Sequence, residues 1–111
     1  MPYQNITPIR LSQDDIPNAV PASAKIIYRT PDGIRTYVKD MDIANTTGSS
    51  ISVSVFIVPN GTLTVTASNA LFYAVPIPGN STLQWTGAQI LNPNDTLQAS
   101  ANATGCTITV T

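Results

Sequence analysis

Ile51-Ser52-Val53-Ser54-Val55-Phe56-Ile57-Val58 is the stretch whose reading decides the fold. Apolar residues recur at every second position, which puts Ile51, Val53, Val55 and Ile57 on one face of a strand and Ser52 and Ser54 on the other. The run is short for a helix and rich in β-branched residues, which suit a pleated surface. Phe56 and Val58 fall on the serine face, so that face is expected to be covered at its far end. Pro59-Asn60-Gly61 then stops the strand with turn residues.

Working outward, the same grammar repeats. Downstream, 63–66 reads as a short edge strand and 70–75 as another strand, closed by Pro76-Ile77-Pro78-Gly79-Asn80. Residues 82–86 carry Leu83 and Trp85 on one face, and Ile90-Leu91 precedes the turn Asn92-Pro93-Asn94-Asp95. Thr96–Ala101 is a strand, 102–105 a turn, and 106–111 a last strand with Cys106, Ile108 and Val110 inward. Upstream, 45–50 is a loop, and 34–43 is a long strand whose alternation breaks. Ile34, Thr36 and Val38 share one parity and Met41 and Ile43 the other, so a β-bulge is expected near Lys39 and Asp40. Pro31-Asp32-Gly33 is a turn, and Lys25–Arg29 is the first strand. Seven or eight short strands with no helical period predict an all-β chain: a single β-sandwich or jelly-roll-like domain over residues 25–111.

Residues 1–24 differ. Pro2, Pro8, Pro17 and Pro21 disfavour a helix or a central strand. The segment is read as an extended N-terminal arm. Tyr3, Ile6, Ile9, Leu11, Ile16 and Val20 make it too apolar for a solvated tail. These six side chains are expected to be contact residues, lying on the chain's own domain or on a neighbouring subunit.

Charge narrows the function. Only 10% of the 111 residues are charged, against about 25% in an average soluble domain, and the net charge is −1. No positive field is available for nucleic acid, and no polybasic patch for a membrane surface. From Ile43 to Thr111 the sole charged residue is Asp95. Such a Thr/Ser/Asn surface gives little repulsion between copies, which suits packing against neighbours. The beginning of the chain has no signal-peptide pattern, and no stretch is long and apolar enough to span a bilayer, so synthesis in a cytoplasm is expected.

Catalytic chemistry is sparse. There is no His and no Glu, and Cys106 is the single cysteine. The commonest general base is missing, no Ser-His or Cys-His pair can form, and no zinc site or disulfide can be built. No enzymatic activity, cofactor or metal is therefore expected. Asp14-Asp15 could hold a cation or mark a solvated turn. Asp40 and Asp42, with Asp95, could form a Ca²⁺ site or simply face solvent. Cys106 is read as a buried small hydrophobe. Trp85 is read as core, the alternative being a surface for stacking on a sugar ring. Phe72 and Tyr73 are adjacent, so one of them must face away from the interior and becomes a candidate contact. The triplets beginning at Asn45, Asn60, Asn80 and Asn102 match glycan acceptors but are read as turns.

One stretch resembles a known group. In 27–50 (IYRTPDGIRTYVKDMDIANTTGSS), an aromatic precedes a Thr-Pro-x-Gly turn and the strand ends in Ile-Ala-Asn-Thr-Thr-Gly. With ISVSVFIVP, Asn69-Ala70-Leu71, PIPGNSTLQW and ILNPNDTLQASANATG, this resembles small virion proteins of tailed bacteriophages. The resemblance covers 26–111 and leaves the arm aside. It implies a capsid decoration (cement) protein without an active site, localised to the virion and assembled in the host cytoplasm. Its implied partners are the major capsid protein and further copies of itself, as a homotrimer. The alternative is a tail or fibre accessory module that binds a host-surface glycan.

Overall fold

The computed structural model describes residues 10–19, 23–60, 65 and 69–111. Eight strands are present: β1 (Ser12–Ile16), β2 (Lys25–Arg29), β3 (Thr36–Asn45), β4 (Ile51–Val58), β5 (Ala70–Ile77), β6 (Ser81–Leu91), β7 (Thr96–Ala101) and β8 (Cys106–Val110). All strand pairs within the sheets are antiparallel.

One sheet has the order β1-β8-β3-β6 and the other β2-β7-β4-β5. The pairs β4–β5, β3–β6, β2–β7 and β1–β8 nest inside one another like a single long hairpin. Rolling that hairpin up brings β8 against β3 and β7 against β4, which closes the two sheets. This is the eight-stranded jelly roll, the form of the sandwich that the strand count left open.

Alternation builds the core. Val53 and Val55 of β4 face Ala99, Ala101 and Leu97 of β7 and, across the sandwich, Met41, Ile43, Ile108 and Val110. The opposite face of β4 is divided. Phe56 and Val58 form a second cluster with Val65, Ala24 and Ala70, as the break in polar parity predicts. Ser52 and Ser54 lie beyond that cover.

The bulge at Lys39 and Asp40 is present. Both amides donate to the carbonyl oxygen of Thr111, at 2.9 and 3.2 Å, so two residues of β3 oppose one. The burial parity flips there, with Val38 and Met41 both inward. On the other side of β3, Gly87 and Ala88 oppose Lys39, and this step carries β6 through as one eleven-residue strand. The strand expected at 82–86 thus continues through Gly87 to Leu91.

Two further differences concern the chain's first third and its middle. Ser12–Ile16 of the expected arm is an edge strand, paired with β8 from Ser12↔Val110 to Ile16↔Cys106. Between Pro8 and Pro17 no proline removes a ladder donor, and an edge strand tolerates proline at its flanks. The edge strand expected at 63–66 lies outside the described residues except for Val65, which is buried and not in a strand.

The loops are tied by side chains. Asn45 is buried, and its Nδ2 donates to the carbonyl oxygens of Ser49 (2.7 Å) and Ile77 (2.9 Å), while its Oδ1 accepts from the amide and hydroxyl of Thr47. Asp95 caps two turns, accepting from the amides of Asn60 at 2.9 Å and Asn92 at 3.0 Å. The one charge between Ile43 and Thr111 is thus a backbone cap rather than a surface group.

Candidate interaction surfaces

The sheets leave four edges: β1 and β6 on one, β2 and β5 on the other. Unpaired edges template association, and proteins blunt them with short length, charge, proline or bulges. β1 has five residues, two of them Asp, and Pro17 follows. β2 has five residues with Lys25 and Arg29 at its ends and a register shift between Ile26 and Tyr28. β5 contains Pro76 and two register shifts. β6 has eleven residues with no charge and no proline. Apart from the step at Gly87 and Ala88, nothing among the described residues blunts it.

Each face beside β6 carries partly exposed apolar side chains. Leu83 and Trp85 point inward but are only partly buried, because they sit at the rim where β6 meets no closing strand. The indole of Trp85 lies across Gly87, where an added Cβ would sit 3.0 Å from the ring. On the outer face, Ile90 of β6 is 47% exposed and its cross-strand partner Tyr37 58% exposed. The opposite flank is closed. Ser12 donates to the carbonyl oxygen of Ile27 at 2.8 Å, and Lys25 pairs with Asp14 at 2.8 Å, tying β1 to β2.

A second feature lies on the outer face of the β2-β7-β4-β5 sheet. Ser54 and Ser100 are cross-strand partners there, with Ser52 beside them. Their small side chains leave a trough of about 350 Å³, walled by Tyr73 on one bank and Asn18 on the other, with Asn102 at the end. None of the described residues that line it carries a charge. Tyr73 and Ala74 together oppose Ser54, a bulge in β5 that puts Ala74 at φ 51. A left-handed backbone is strained for a residue with a Cβ, by roughly 1–2 kcal/mol. Ser54 Oγ offsets part of that by accepting from the Ala74 amide at 2.8 Å. The bulge turns Tyr73 outward, where it is 52% exposed and meets Phe56 edge-to-face at 6.2 Å. Phe72 faces the core. Of the adjacent aromatics, Tyr73 is therefore the contact candidate.

No protein-family model, curated protein or solved structure matches this chain.

The expected contact residues divide. Ile16 is 1% exposed and Leu11 packs on the main core, with its amide donating to the Val110 carbonyl oxygen at 2.7 Å. Both serve their own domain. Tyr3, Ile6, Ile9 and Val20 lie outside the described residues. Among the described residues no three His, Cys, Asp or Glu side chains gather as a metal site. Asp95 is engaged in its turn, away from any grouping with Asp40 and Asp42, and Asp14 is held by Lys25. Cys106 is buried, and burial pushes its thiol pKa up, the opposite of what a reactive thiol needs. No local pattern in the sequence marks the serine trough, because the pairing of Ser54 with Ser100 joins residues far apart in the chain.

Proposed function

We propose that the protein is a structural virion component, a capsid decoration protein that binds the major capsid protein of a bacteriophage head and associates with itself as a homotrimer. The observation that carries this reading is the unblunted β6 edge with Leu83, Trp85, Ile90 and Tyr37 bared around it. Strand addition at such an edge uses main-chain hydrogen bonds and needs few specific side chains. Partly exposed aromatics beside it supply the anchors on which interfaces depend. The charge-poor surface removes the repulsion that would oppose dense packing. Jelly rolls recur in viral shells, and the sequence resemblance points the same way; fold alone does not assign function. In this reading Tyr3, Ile6, Ile9 and Val20 add apolar contact to a neighbouring subunit.

Stoichiometry tests it. Quantitative protein analysis of purified virions should find the chain at copy numbers comparable with the major capsid protein. A handful of copies per particle would place it in the tail, and absence from the particle would end the reading. Light scattering in solution should give three times the monomer mass. Trp85, the chain's single tryptophan, should shift its emission to the blue on binding heads.

A second reading, a tail or fibre module binding a host-surface glycan, is favoured by one observation, the uncharged trough beside Tyr73.

A further inference from the structure

The geometry points to the serine trough as a binding site for a neutral saccharide, with one sugar ring against Tyr73. This rests on the second reading above and is independent of where in a particle the protein sits.

The shape comes first. β4 and β7 place Ser52, Ser54 and Ser100 side by side on the outer face, next to the bulkier Phe56. The step from serine to aromatic makes a concave floor in an otherwise flat sheet. Tyr73 stands at that step, its ring braced by Phe56 and its position set by the left-handed Ala74. Strained backbone of this kind persists where the surrounding structure holds it, and it concentrates at binding sites. An exposed aromatic ring on a braced base offers a flat apolar surface matched to the C–H face of a pyranose.

The polar groups are of the right type. Ser100 is 3% exposed and lines the trough. Its hydroxyl is of the type that both donates to and accepts from a sugar hydroxyl. Ser52 adds a second hydroxyl. Asn102 accepts from the Ser52 amide through Oδ1, which leaves its NH₂ group to donate outward. Asn18 offers an amide from the opposite bank. Hydroxyls and amides both donate and accept, as do sugar hydroxyls. The absence of charge among the described lining residues selects a neutral sugar over a uronic acid, a sialic acid or a phosphate.

The test uses the full chain, isotopically labelled for NMR. It is titrated with the methyl glycosides of glucose, galactose, mannose and N-acetylglucosamine, and probed on an array of bacterial surface polysaccharides. A single ring on a shallow site is expected to bind at about the millimolar level, with shifts confined to 18–19, 52–54, 73–74 and 100–102. Tyr73→Ala should weaken binding at least tenfold while Tyr73→Phe retains it, which separates ring stacking from hydroxyl contacts. Ser52→Gln, which fills the trough without touching Tyr73, should also abolish binding and covers the case in which Tyr73→Ala fails to fold. Binding that survives both Tyr73→Ala and Ser52→Gln would overturn this site while leaving a glycan-binding module standing. No binding to any glycoside or polysaccharide would overturn both. Preference for acidic sugars would overturn the neutral assignment.

Discussion

Asn45 shows how much one side chain can hold here. Its amide satisfies carbonyls from its own loop and from the end of β5, and its oxygen orders Thr47. Asn45→Ala would orphan these buried groups together, so a loss of about 3 kcal/mol is expected, read as a lower urea midpoint at an unchanged slope. Cys106 gives a pH prediction. Burial raises the folded thiol's pKa above its ordinary value of 9.0, so the folded state favours the neutral form. That contribution is complete below the unfolded pKa and is lost as pH rises through the folded one, so stability should fall only above about pH 9. The native protein should resist a thiol reagent at pH 8 and react at the rate of global unfolding. Asp14 has the opposite sign. Lys25 holds its carboxyl below the usual 3.8, so its small, solvent-screened contribution is present at neutral pH and fades in acid.

At the scale of strands, β6 is where the proposed assembly can be tested without touching the core. Gln84 and Thr86 point outward beside the bare edge. Lysines at both, Gln84→Lys with Thr86→Lys, should leave the melting temperature within a few degrees and shift light-scattering mass to the monomer. Unchanged association would mean that β6 is not the edge in use. This scale also shows what could be read from the chain alone. The strong alternation of β4, the turns at Pro31-Asp32-Gly33 and 92–95, and the parity break at Lys39 are local signals, and each corresponds to an observed feature. What was not legible depends on partners. Ser12–Ile16 is a strand because β8 lies beside it, β6 is continuous because β3 steps at Lys39, and the trough exists because Ser54 meets Ser100. Of the candidate contacts, Leu11 and Ile16 were singled out by apolar content alone, and both pack on the core of their own domain. Apolar content could not say whose surface they cover.

For the molecule as a whole, the decisive pairing is β1 with β8, the outermost pair of the rolled hairpin. It makes the first described residues part of the domain, so truncations should divide sharply. Removing residues 1–9 spares all eight strands and, if the assembly reading holds, should weaken attachment to heads. Removing 1–16 deletes an edge strand and the buried Ile16, a loss of about 3–5 kcal/mol from the core side chain alone, and should leave little folded protein. Thermal melts of the two truncations, followed by circular dichroism, check both. The same pairing has a topological result. With the Leu11 amide bonded to the Val110 carbonyl oxygen, the two extremities of the rolled sheet emerge together on one flank, across the sheet from β6. A short linker joining Leu11 to Thr111 would permit circular permutation with new termini in the loop before Ile51.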